Sequence, residues 1–390
     1  MVIAEKVPQM IVDQYEYSAA SPFQYHWDLY PRIYVAPKGI PILDKLDGDL
    51  TKEPWNRIPW SEDFDDIRGP EDAPQNERPN PDCRTRFKAF WDETHLYIGG
   101  MIQSDMETQA HFTERNSPIY QKDSDFEVFV DPLGSCHFYK ELEVNPLNTV
   151  WNLMLDKPYR DGGVEHSGRI ARKGEEHYYE VYGQKTATKI LKGRLNDPKD
   201  PATWSVEIAL SYKDILANLT VSETNNIMLG AMWRVNFSRV EKNGKVNWTW
   251  QPQVSWDPTQ RRRTGVVDMH LPESWGYFVF ADDIPDGDDR FFPTRDGSWP
   301  ARLAASNLYY AQRHYFEVHK QYAKSVQDLK HLVDPNLIDP FERIDIKVQE
   351  EKYLATIHGN PDGSVVSINE ERLIQVTAPA RQASPPLSEN

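Results

Sequence analysis

The chain has 390 residues, long enough to bury a sizeable core and to form more than one domain. Its 44 basic and 60 acidic residues leave a formal charge of −16, which argues against nucleic acid or an anionic membrane surface as partner. Two cysteines, Cys83 and Cys136, exclude a disulfide framework or a zinc finger, and no stretch approaches the ~20 apolar residues of a membrane span.

Residues 1–30 read as an N-terminal extension. Its start, MVIAEKVPQMIVDQ, lacks the apolar core and small-residue cleavage site of a secretory signal, so the expectation is a cytoplasmic protein or an already processed secreted form. From 31 to 280 the pattern is strand-like. RIYVAP, RFKAFW, HLYIGGMI, DFEVFVD, KELEVN, TWSVEIAL, MLGAMWRVNFSRV, VNWTWQ and GYFVFA alternate or are rich in β-formers, with Pro, Gly, Asn and Asp between them. Many short strands with turn signals predict a mainly β fold, an antiparallel β-sandwich. Residues 62–81 read as a long loop. A short helix is expected over Tyr212–Leu219 with Ser211 as N-cap.

Residues 281–297 read as an acidic linker. Asp282, Asp283, Asp286 and Asp288 there are candidate oxygen ligands for Ca²⁺, although their spacing is not that of an EF-hand. Over 298–378 the period changes: Ala301, Ala304, Leu308, Ala311, Tyr315, Val318 and Tyr322 mark one helix face. Ser325 to Asp328 forms a capping box, and IDIKVQ, KYLATIHG and SVVSI predict a three-strand meander with GNPDG as a hairpin turn. This is a small α+β domain whose helix could meet a protein partner. Residues 379–390 read as a disordered tail.

Four strands pair an apolar face with a polar one. Phe126, Val128 and Val130 oppose Glu127; Leu142 and Val144 oppose Glu143 and Asn145; Trp204, Val206, Ile208 and Leu210 oppose Glu207; Trp233, Val235 and Phe237 oppose Arg234 and Asn236. Such a polar face is either plain solvated sheet or a surface for a polyhydroxylated ligand. Carboxylates and amides pair with vicinal hydroxyls, Arg adds a rigid donor fork, and Trp151, Trp248 and Trp250 offer flat surfaces for sugar C–H groups. Catalysis by Glu127, Glu143 or Glu207 as an acid/base pair is the alternative. Arg234 is expected to keep these carboxylates ionised, which favours binding without turnover. A scaffold or interaction protein is a third possibility.

The segments LDGDLTKEPW, FWDETHLYIGG, DFEVFVDP, YKELEVNPLNTVWNLMLDKPYRDGG, LNDP with WSVEIAL, WRVNFSRVE with NWTWQPQ, and VVDMHLPESWGYFVF occur in this order over about residues 31–280. Together they resemble family 9 carbohydrate-binding modules. The resemblance implies a non-catalytic β-sandwich that binds a mono- or oligosaccharide, in some members between two tryptophans, with structural calcium. It places Glu143, Asn145 and Trp151 in one family-like segment, and Arg234 and Asn236 in another. Between Asp105 and Asp123, where a second stacking indole is expected, there is none; the aromatics are Phe112 and Tyr120.

Overall fold

The computed structural model describes residues 21–219, 232–282 and 295–378. Its contacts divide the described chain into two units, the larger of 31–219, 232–257 and 263–282 and the smaller of 21–30, 258–262 and 295–378. The tail 379–390 and Asp283, Asp286 and Asp288 lie outside the described residues.

The larger unit is a β-sandwich. Its strands are β1 (Ile33–Pro37), β2 (Asp65–Asp66), β3 (Thr85–Trp91), β4 (His95–Ile102), β5 (Asp125–Asp131), β6 (Tyr139–Val144), β7 (Val150–Leu155), β8 (Glu165–Ser167), β9 (Lys185–Lys192), β10 (Thr203–Ser211), β11 (Met232–Glu241) and β12 (Val246–Thr249). A hairpin of β13 (Val254–Asp257) and β14 (Arg262–Gly265) and the strand β15 (Gly276–Ala281) complete them. One sheet runs β1-β15-β11-β5-β6-β7-β8, with β12 and β2 attached through β11; the other runs β3-β4-β10-β9. Pairing is antiparallel apart from β1 beside β15. The expected helix shortens to α2 (Tyr212–Ile215), and its N-cap Ser211 makes no side-chain capping bond.

Alternation decides which residues meet between the sheets. Phe126, Val128, Val130, Trp233, Val235 and Phe237 of the large sheet face Phe87, Trp204, Val206 and Ile208 of the small one, all buried. Phe87 stacks on Phe237 at 3.7 Å between ring centroids. Each such large side chain contributes about 1.5–3 kcal/mol by leaving water.

Both outer faces are buried as well. Outside the small sheet lie Ile42, Leu50, Trp55, Ile58, Phe90 and Tyr97. The glycine pair in β4 fits this double packing. A Cβ on Gly99 would stand 2.6 Å from Leu50, and one on Gly100 2.9 Å from Val206 on the opposite side. Outside the large sheet lie Ile67, Ile119, Phe129, Tyr139, Trp151, Leu153, Leu155, Met269 and Trp275. The polar alternation in β5, β6 and β10 is therefore not a wet face.

The smaller unit contains α1 (Gln24–Asp28), α3 (Trp299–His319), α4 (Val326–Leu329) and α5 (Pro335–Ile338). Its antiparallel meander has four strands rather than three: β16 (Arg343–Gln349), β17 (Lys352–His358), β18 (Val365–Asn369) and β19 (Ile374–Thr377). On α3 the expected face is buried at Ala301, Ala304, Leu308 and Ala311, but Val318 is 60% exposed. The helix stops at Lys320, whose φ of 56° is a left-handed cap, so Tyr322 lies beyond it and stacks back on Phe316 at 4.6 Å. The Ser325–Asp328 capping box forms as read from the sequence.

His26, in α1, is buried between Phe23 and Phe341. Its Nε2 pairs with the Leu337 carbonyl at 3.0 Å, while Nδ1 has no partner among the described residues. Burial lowers its pKa from 6.5 to about 4, against the opposing pull of the Leu337 carbonyl and the Asp334 charge. The unfolded chain thus takes up this proton at higher pH than the folded one. The stabilisation is complete above pH 6.5 and is lost as pH falls towards 4, on the order of 2–3 kcal/mol. Urea unfolding of the smaller unit should weaken over that window. The untitratable His26→Gln should flatten the slope; an unchanged slope would assign it to other groups.

Candidate functional site

The outer face of the large sheet collects the acidic side chains of β5 and β6 in adjoining rows. Ser238, Glu127, Glu143 and Trp151 are successive cross-strand neighbours, and Asn236, Phe129, Glu141 and Leu153 form the next row. Asp125 lies two residues before Glu127 on the same side. Asp125, Glu127 and Glu143 each bring a carboxylate oxygen within 4.8 Å of the other two, and all three are buried. Asp125 Oδ1 accepts from Val240 N at 3.0 Å and Glu143 Oε2 from Tyr120 N at 3.2 Å. Among the described residues, Asp125 Oδ2, Glu127 Oε2 and Trp151 Nε1 have no hydrogen-bond partner.

Burial dominates the electrostatics. It raises Glu127 to about 7, with the Ser238 hydroxyl pulling the other way. Asp125, Glu141 and Glu143 are pushed well above the carboxylate range, first by burial and then by the other carboxylates around them. The expectation that Arg234 holds these groups ionised is therefore corrected. Arg234 sits opposite Asp131, over the Tyr277 ring, and spends its guanidinium on the Glu273 and Trp275 carbonyls.

A half-exposed aromatic rim, or mouth, borders this cluster. The turn at Ile119–Gln121 lays Tyr120 on Trp151, rings 5.9 Å apart and 19° from parallel. Arg169 lies over the same indole at 4.8 Å and is ion-paired to Glu165. Tyr159, in the turn Tyr159–Asp161, packs edge-on against His270 at 4.6 Å. His270 in turn pairs with the Tyr139 hydroxyl at 2.9 Å and stands 3.9 Å from Glu141 Oε2. Tyr120 is 38% exposed and Tyr159 44%, whereas Trp151 is 4% exposed. Trp151 backs the aromatic surface; Tyr120 and Tyr159 present it. Arg169, Tyr159 and His270 lie in loops whose sequence carries no periodic signal, so the strand alternation could not reach them. Tyr120 falls in the segment where a stacking indole is expected and none occurs.

The other sequence candidates lie elsewhere. Asn145 organises a turn, accepting from Leu147 N and Thr149 N and donating to the Phe112 carbonyl and Asp123. Asn236 clips β11 to Gln251 through two backbone bonds. Trp248 and Trp250 point into the core between the sheets, with their indole N–H groups on the Glu77 carbonyl and on Glu62. Glu207 is on the outer side of the other sheet, holding Asp47 N, Gly48 N, Trp55 Nε1 and Lys52. It shares no site with Glu127 and Glu143, because period two in β10 reports the face of its own sheet only. Asp282 is exposed at the end of the described stretch.

No family model matches the chain, and no curated protein matches it. Solved structures do. Those that align with it include two family 9 carbohydrate-binding modules. One from Caldicellulosiruptor kristjanssonii, solved with cellotriose, aligns with TM-score 0.37 and 16% identity over 68% of this chain and 100% of that one. The same organism's family 9 module solved with glucose gives 0.36 and 16%, over 67% and 100%. A candidate carbohydrate-binding protein from Bacteroides uniformis gives 0.45 and 12%, over 64% and 99%. Among the described residues, no helix is long and apolar enough to cross a membrane.

Proposed function

We propose that the larger unit binds a mono- or oligosaccharide at the mouth framed by Tyr120, Tyr159 and Arg169, without turning it over. The observation that carries this reading is the Tyr120–Trp151 stack, its outer ring partly open to solvent beside an arginine fork and Glu141. A sugar ring presents C–H groups to an aromatic face and hydroxyls around its rim. Tyr120 and Tyr159 suit the first; Arg169, Glu141 and His270 suit the second. The family resemblance in the sequence supports the same ligand class.

The test is a glycan array followed by calorimetry on the best-bound sugar. Tyr120→Ala and Tyr159→Ala should each weaken binding about tenfold or more, roughly 1.4 kcal/mol, with the melting temperature within a few degrees of the parent. Undiminished binding in both would move the ligand off this mouth.

The raised carboxylates favour one other reading, because glycoside hydrolysis needs a protonated acid near neutral pH. Glu127 and Glu143 lie beneath the surface, and Glu141 is the carboxylate that borders the mouth. Prolonged incubation with the bound oligosaccharide and mass analysis should give no product. A product that disappears in Glu141→Gln would replace binding with hydrolysis.

A further inference from the structure

The meander of the smaller unit ends in an open edge. Its strand order is β16-β17-β18-β19, so among the described residues β16 (Arg343–Gln349) pairs on one side only, with β17. Cross-strand neighbours fix the two faces of β16. Ile344, Ile346 and Val348 stand opposite Ile357, Ala355 and Tyr353 on the buried face of the sheet. Helix α3 packs on β17 and β18, and the three apolar residues of β16 remain only half-buried. Arg343, Asp345, Lys347 and Gln349 lie on the other face. Asp345 is held by Arg343 and His358 at 3.1 Å each, yet its side chain is 43% exposed. An exposed edge strand is ordinarily guarded by charge, especially lysine. Charges of one sign would repel a second copy; along β16 the sign alternates from Arg343 to Asp345 to Lys347.

We infer that β16 is an edge for self-recognition: two copies of this chain join along it, antiparallel about a two-fold axis at Ile346, and their four-stranded meanders become one sheet. Ile346 is the middle residue of β16, so this register pairs the strand over its whole length. It sets Asp345 of each copy opposite Lys347 of the other, and Arg343 opposite Gln349. On the apolar face Ile346 meets its own copy and Ile344 meets Val348, which covers the row that α3 leaves half-open. Moving the axis to Asp345 or to Lys347 would set that charged residue against itself. The opposite edge, β19, offers Ile374–Thr377, which carries no charge to match. Pairing β16 with β19 would also run on into an open chain of copies rather than a closed pair.

The test is sedimentation equilibrium of the full chain across protein concentration. The parent should pass reversibly from monomer to dimer, and hydrogen exchange of the outward-pointing β16 amides should slow as the dimer forms. Lys347→Asp and Asp345→Lys each turn two opposite-charge pairs into two like-charge pairs, and each should raise the dimer dissociation constant about tenfold or more. Mixed in equal amounts, the two variants should regain the parent's affinity as a heterodimer, because every facing pair is then opposite in sign. If Asp345→Lys fails to fold through the loss of Arg343 and His358, Lys347→Asp, at an exposed position, still carries the test. Three results would overturn the pairing: a parent that stays monomeric at its highest soluble concentration, a dimer untouched by Lys347→Asp, or growth past the dimer as concentration rises.

Discussion

Glu207→Ala should cost roughly 3–5 kcal/mol of folding stability, the range for removing one partner from a buried charged network. Glu207 accepts from Asp47 N and Gly48 N at 2.7 Å each, from Trp55 Nε1 at 2.6 Å and from Lys52 Nζ at 2.9 Å. Its side chain is fully buried while Lys52 remains partly in water. Truncation therefore strands two backbone N–H groups and an indole N–H inside the layer outside the small sheet, and each unmet donor carries its own desolvation penalty. The measurement is urea denaturation, with the midpoint falling and the slope unchanged. A loss under about 1 kcal/mol would instead make Glu207 an ordinary surface carboxylate and return it to the list of candidate functional groups.

Trp250→Ala should be of similar size, about 3–5 kcal/mol, through a cavity between the sheets. The ring meets Phe87 edge-on at 5.3 Å and 89°, and Phe237 at 6.1 Å. Its far edge occupies the space a Cβ would need at Gly276, so the backbone of β15 is already against it and cannot close the void cheaply. Trp250→Phe should recover part of the loss by refilling the apolar volume. If Trp250→Ala instead kept its stability and lost sugar binding, Trp250 would be a ligand platform.

These two residues also mark how far alternation can be read. Val206, Ile208, Phe126, Val128, Val235 and Phe237 lie where period two puts them, because the apolar side of each strand had one large core to fill. The sandwich was legible for that reason. The polar sides were not, because alternation separates two faces without saying what lies over the second. Glu207 and Glu127 have the same signature in sequence, yet one is saturated by an adjacent loop and the other has an oxygen without a donor. Asn145 and Asn236 behave alike for another reason: their short amides serve nearby backbone, a local role that ligand-binding asparagines cannot be told from in one sequence. The mouth depended on Tyr159, Arg169 and His270, which three separate loops deliver.

The placement of Glu127 directly opposite Glu143 has a consequence for how the chain assembles. Shifting β5 against its neighbours by one residue would exchange Phe126, Val128 and Val130 for Asp125, Glu127 and Phe129, or for Glu127, Phe129 and Asp131, in the layer between the sheets. Each misplaced carboxylate would then meet Phe87, Trp204 or Val206 with no partner. Flat strands that are polar on both sides tolerate such slippage. Here the wrong register is penalised on both sides at once, since the displaced Phe126, Val128 and Val130 would in turn land among carboxylates. The acidic rows thus act as a proofreading device for strand pairing, quite apart from anything they bind.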